Sequence, residues 1–384
     1  MTMNRRDFLH LSGLATLGLA LPGTSRAATP TEYYFYVGTY TSAGGEGIYL
    51  GRLNLATGAL QRVGVTPGVA EPSFLALEPR GRYLYAVNEL GSFQGKPSGA
   101  VSAFAINPQT RALTLINQQP SRGGAPCHLQ VDATGAFVLV ANYSGGNVAV
   151  LPIQAGGGLG ASVDFKQFQG SGPHPNQGSP HAHQALLDAA NQYAFVADLG
   201  TDRVMRFRFD STLGKLTATS PASVSTLPGA GPRHMTFHPN GRFAYVINEL
   251  NSTINAYTYD KTTGALQEQQ RVSTLPAGYT GTSYCAEVRI SPDGRFLYGS
   301  NRGHESLVVF AIDSSGKLSL VEHVLGRIQW PRDFIIDPTG AFVLVANQKG
   351  NTVVAFRRDA QTGRLTQTGQ PLGIPSPTSL LIAP

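Results

Sequence analysis

The 384 residues predict an all-β fold: a seven-bladed β-propeller with four antiparallel strands per blade, its ring closed by N- and C-terminal strands sharing one blade. Three observations lead there. One hairpin pattern recurs along the chain, strand fragments without partners sit at both ends, and the composition is that of short elements joined by tight turns. The 45 Gly and 25 Pro stand against only 14% charged residues, while 41% hydrophobic residues suffice to bury a large core.

In chain order, residues 1–28 read as a leader and 29–384 as one propeller domain. Asn4-Arg5-Arg6-Asp7-Phe8-Leu9 is a twin-arginine signal, followed by an apolar stretch from Leu11 to Leu21 and by small residues suited to cleavage at Ser25-Arg26-Ala27-Ala28. That stretch is too short to span a membrane. The expectation is a partner in the twin-arginine (Tat) export machinery, a periplasmic or secreted destination and no stable membrane anchor.

The repeats begin at Pro72, Pro126, Ala182, Pro232, Ala286 and Pro331, spaced by roughly 45 to 56 residues, the length of a blade. Each opens with an alternating apolar run, turns at a motif such as Pro239-Asn240-Gly241 or Pro292-Asp293-Gly294, and returns through a β-branched or aromatic run. A second strand pair follows, as in Val101 to Ile106 and Leu113 to Gln118. Six copies leave Ser376 to Ala383 as a first strand without a successor, and Tyr33 to Tyr40 and Gly47 to Leu53 as later strands without a first. Joined, they form a seventh blade and remove the exposed edges.

In such a blade the start of the innermost strand and the end of the next meet at one mouth of the channel. The residues counted to that rim are Asn88 and Glu89, His128 and Asn142, His183 and Asp198, Arg233 with Asn248 and Glu249, Glu287 and Arg302, and Arg332 with Asn347. Asn and Asp can close strand ends by bonding backbone groups. Arginines paired with glutamates are more than a hairpin needs.

Several motifs are specific: YVGTYT near the mature start, PHAHQ at Pro180 to Gln184, DLGTDRV at Asp198 to Val204, GPRHMTFHPNGRFAYVINEL at Gly231 to Leu250, and SNRGHES at Ser300 to Ser306. Through them the chain resembles the seven-bladed propeller lactonases, which include bacterial propeller-type 6-phosphogluconolactonases and fungal carboxy-muconate cyclases. The resemblance implies a lactone ring opened by water or, in the cyclase branch, closed. It also implies catalytic roles for His183, Arg233, Glu249 and Arg302, beside which the count of rim positions puts His128, Asn142, Asp198, Asn248, Glu287 and Arg332 as substrate-binding candidates.

Ring opening needs an activated water and a home for charge on the carbonyl oxygen. Glu249 or His183 can take the proton, and Arg233 and Arg302 can hold an anionic group or the oxyanion. No G-x-S-x-G elbow offers a serine nucleophile. Neither a cofactor nor a metal is expected. Glu89, Asn142, Asn248 and Glu249 carry oxygens of the kind calcium takes, but the resembled family does not call for metal. The loop bearing His174, His181 and His183 lacks rigid zinc geometry and reads as a cover over the pocket.

The net charge of +6 suits an anionic small molecule, and no Lys/Arg run reads as a nucleic-acid footprint. Cys127 and Cys285 fall in different repeats and read as unbridged packing residues. A lactonase acting on a sugar-acid lactone is the leading expectation. A muconate-type cycloisomerase using the same four residues and a non-catalytic ligand-binding propeller remain beside it.

Overall fold

The second strand of each repeat explains how the blades stack. Phe243–Asn248, with sequence FAYVIN, is buried at all six positions, so both of its faces are covered by neighbouring blades and it needs no polar face. Its inner partner Pro232–Phe237 pairs antiparallel, Met235 opposite Val246, while Thr253–Asp260 and the largely exposed Ala265–Ser273 complete the sheet outward.

A computed structural model describes residues 30–384 and contains seven such four-stranded sheets, the blades of a propeller. The twin-arginine segment and its cleavage region lie outside the described residues. Closure is as expected: Pro377–Ile382 pairs antiparallel with Glu32–Thr39, Tyr36 opposite Leu381, and Gly47–Asn54 and Leu60–Pro67 finish that blade. Cys127 and Cys285 are buried and free. Among the described residues no helix is long and apolar enough to cross a membrane.

Hydrophobic cores form between blades. One joins Phe296, Tyr298 and Val309 to Phe334, Val343 and Phe356 of the next sheet, where each buried aromatic contributes about 1.5–3 kcal/mol. A stitch repeats nearby. Tyr245 donates its hydroxyl proton to the Gly316 carbonyl at 2.9 Å, as Tyr85 does to Gly157 and Tyr298 to Gly363, so each outer turn docks on the blade before it. Gly316 takes φ +83°, and a Cβ there would come within 2.5 Å of the Phe243 ring. Only glycine fits.

Candidate active site

A β-bulge near the start of the inner strand sets the geometry of the channel mouth. The register slips between Pro126 and His128, Ala182 and Gln184, Pro232 and His234, and Pro331 and Asp333, with one extra residue each time. A bulge re-aims side chains that a regular strand would send to opposite faces. Two successive rings result. Cys127, His183, Arg233 and Arg332 occupy equivalent positions nearer the strand start, and His128, Gln184, His234 and Asp333 stand one residue deeper. In the sheet starting at Tyr284 the slip between Cys285 and Val288 leaves Ala286 and Glu287 as the corresponding pair.

In the upper ring two arginines share one carboxylate oxygen. Arg233 Nε lies 3.0 Å and Arg302 Nη2 2.9 Å from Glu249 Oε2. The Arg233 contact is an ion pair without hydrogen-bond alignment, and Arg233 Nη1 instead donates to the Ala286 carbonyl at 2.7 Å. Arg302 is fixed by donating to the carbonyls of Cys285 and Tyr284. Burial alone would push the Glu249 carboxyl up, but Arg302 and Arg233, with Arg332 beyond, hold it below the usual carboxylate range. Burial and the neighbouring Arg302 bring Arg233 down to about 10, which still leaves it charged at neutral pH.

Across the mouth, Arg332 Nη2 lies 3.8 Å from Glu89 Oε2, and the Arg332 guanidinium carbon lies 5.2 Å from the centre of the Tyr40 ring. Glu89 accepts from Tyr40 at 2.9 Å and from Ser73. Three guanidinium groups thus face two carboxylates, three minus two, leaving one net positive charge. Tyr143, stacked on His181 at 4.4 Å, and Trp330, 5.7 Å from Arg302, frame the cluster with aromatic surface.

The structure therefore brings His183, Arg233, Glu249, Arg302 and Arg332 together, and it corrects other assignments. Asn142 donates to the Ser121 carbonyl and Asn147, and Asn248 to Thr253 and Asn255, so both close strand ends inside their blades and do not line the mouth. Asp198 accepts from His181 N, Gly200 N and Thr201, a turn cap rather than a substrate contact. His128 and Glu287 belong to the lower ring, because the bulge offsets them by one residue from His183 and Arg233. Of the residues considered for calcium, Glu89 accepts from Tyr40 and Ser73 and Glu249 pairs with Arg233 and Arg302, while Asn142 and Asn248 are held by their amide nitrogens inside their own blades. His174 caps a short 3₁₀ turn, Pro175–Gln177, pinned where Gln177 donates to Leu199 O and Asp202.

Sequence reasoning missed His234, Arg289 and Asp333. His234 Nδ1 is 2.8 Å from Glu287 Oε2, while Arg289 Nη2 is 3.4 Å from Asp333. His128, His183 and His234 are buried, with ring centroids 5.4 and 5.1 Å apart, and desolvation beside the arginines keeps all three imidazoles well below their ordinary pKa and neutral. The only signal for His234 was its place beside Arg233, which strand alternation assigns to the opposite face. Towards the other mouth the channel holds a cavity of about 760 Å³, lined by apolar residues such as Leu77, Val131, Phe237 and Ile336 together with His128, Gln184, Glu287 and Arg289.

Seven four-stranded blades in a closed ring put the chain in the β-propeller class. Within that class it belongs to the seven-bladed lactonase family, whose model, described as "Lactonase, 7-bladed beta-propeller", matches residues 34–382. It is 38% identical over 348 residues to a 6-phosphogluconolactonase of Bacillus subtilis (strain 168), spanning 90% of this chain and 97% of that one. With a 6-phosphogluconolactonase of Formosa agariphila it shares 36% identity over 352 residues, 90% of this chain and 98% of the relative. A solved periplasmic gluconolactonase of Pseudomonas aeruginosa superposes with a TM-score of 0.87 at 36% identity, covering 92% of this chain and 99% of that one. The chain is accordingly a carboxylic ester hydrolase of the lactonase kind. These relatives favour neither the cycloisomerase nor the non-catalytic reading.

Proposed function

We propose that the protein hydrolyses a sugar-acid lactone, of the 6-phosphogluconolactone or gluconolactone type, at the arginine-bearing mouth of its channel. The observation that carries this is the sharing of Glu249 Oε2 by Arg233 and Arg302. Glu249 spreads and fixes the two guanidinium groups. Among the described residues, Arg233 Nη2 and Arg302 Nη1 keep no protein partner, so they can meet the carbonyl oxygen as negative charge gathers on it. Donors preorganised in this way lower a barrier by a few kcal/mol. His183 adds a neutral imidazole to the same ring, able to bond one substrate hydroxyl, and Arg332 supplies charge for an anionic substituent.

The twin-arginine leader and the periplasmic gluconolactonase among the relatives support export, and with it a substrate met outside the cytoplasm. Replacing Arg5 and Arg6 by lysine should leave the protein in the cytoplasm in cell fractionation. The test of the activity is turnover by the purified protein of 6-phosphogluconolactone and gluconolactone, with spontaneous opening subtracted. Arg302→Ala should lower kcat by about 10²–10³-fold. No turnover above background on either lactone would remove the reading.

A further inference from the structure

Beneath the arginines lie groups that this account leaves unused. His234 and Glu287 are both buried and bonded at 2.8 Å through His234 Nδ1, and His234 Nε2 has no partner among the described residues. Between the two rings is a cavity of about 10 Å³, bounded by Arg233, Arg332 and Thr378 above and by His234, Glu287 and Asp333 below. That is the room one water needs. Buried polar atoms are rarely left unpaired, yet Arg233 Nε, Thr378 Oγ1 and His234 Nε2 all lack a hydrogen bond, and all belong to residues bounding this space.

We propose that this cavity holds the attacking water and that the His234–Glu287 pair is the base that takes its proton, an assignment that rests on the lactonase reading above. A carboxylate only accepts, so the proton of the pair sits on Nδ1 and the Nε2 lone pair is free. A base oriented by a third group is the arrangement that activates a nucleophile. Its rivals lack it. Glu249 is already engaged by two arginines, and neither His128 nor His183 has a carboxylate bonded to its ring. Around His234 stand Arg233, Arg289, Arg302 and Arg332, the rings of His128 and His183, and Glu287 as its bonded carboxylate. Burial first, and then that cationic surround, keep the ring unprotonated, and Glu287 offsets the charge that arrives with the proton.

The step balances. The water oxygen bonds to the carbonyl carbon as one of its protons moves to Nε2, and the carbonyl electron pair shifts to the oxygen facing Arg233 and Arg302. When the ring C–O bond breaks, the departing oxygen takes the proton back from Nε2. The product is the open hydroxy acid, whose carboxyl proton goes to solvent.

The experiment compares His234→Gln and Glu287→Gln with the unaltered protein in lactone turnover. His234→Gln should lower kcat by about 100-fold or more with KM little changed, the range general bases contribute. Glu287→Gln should lower kcat less and move the acidic limb of the kcat/KM profile to lower pH, since the carboxylate that favours imidazolium is gone. A folded His234→Gln protein that keeps kcat within about threefold while Arg302→Ala is inactive overturns this assignment alone. Absence of turnover by the unaltered protein overturns the lactonase reading and this one together. Should His234→Gln fail to fold, nitrogen NMR of the histidine-labelled unaltered protein decides, and a proton on Nε2 instead of Nδ1 at neutral pH overturns the assignment.

Discussion

At Glu249 two effects compete and their sizes decide the residue's role. Burial favours the neutral acid, but two guanidinium groups near 3 Å favour the anion, and the pair wins. The carboxylate is thus held as an anion between the two arginines. Glu249→Gln keeps the shape and removes the charge, stranding Arg233 and Arg302 in a buried site. Loss of one partner from such a cluster costs about 3–5 kcal/mol, readable in a denaturant melt, and turnover should fall with it. Because the folded pKa lies below the unfolded one, the stabilisation from Glu249 is complete above the ordinary carboxylate range and is lost as pH falls through the folded value. The stability gap between the two proteins should therefore be full at pH 7 and shrink towards pH 3.

At the scale of the strand and turn, the repeated stitch makes the outer turns part of the neighbouring blade. Gly316→Ala forces a side chain into a left-handed backbone and against Phe243 at once. The expected cost is about 1–3 kcal/mol, seen as a lowered thermal midpoint, whereas Gly241→Ala, whose added methyl would meet no neighbour, should cost less. Hairpins, turns and blade spacing were legible in the sequence because apolar alternation and Pro-x-Gly turns are local signals. Arg233, Glu249 and Arg302 were legible too, since counting from the Asn240-Gly241 turn brings strand ends together whatever the packing. The bulge was not. Nothing in Pro232-Arg233-His234 marks a slipped register, so alternation sends Arg233 and His234 to opposite faces when both face the channel region. The same one-residue slip explains why His128 was aligned with His183 yet lies deeper. Asn142 and Asn248 were misplaced for another reason: a strand-end asparagine reads the same whether it turns to the channel or back into its blade.

For the molecule as a whole, the ring depends on its ends. Pro377–Ile382 is the inner strand of the blade that begins with Glu32–Thr39, and Leu380 N donates to Asp333 in the adjoining blade at 2.7 Å. Removing residues 377–384 would leave Glu32–Thr39 with an open edge and the channel with one wall missing. The expected result is a protein that no longer melts as one cooperative unit and that self-associates in size-exclusion chromatography. A truncated protein that melts like the complete one would show that six inner strands suffice.

The terminal pairing also sets a clock on synthesis. Tyr36 reaches its partner Leu381 only after almost every other residue has been made, so blades in the middle can form on the ribosome while the first strands made wait for the last. During that wait the edge of Glu32–Thr39 stays open to holding factors or to a stray strand. A message cut short anywhere upstream yields a chain that never locks. Completion of the ring thus waits on synthesis of residues 377–382, a check on length performed by the fold itself.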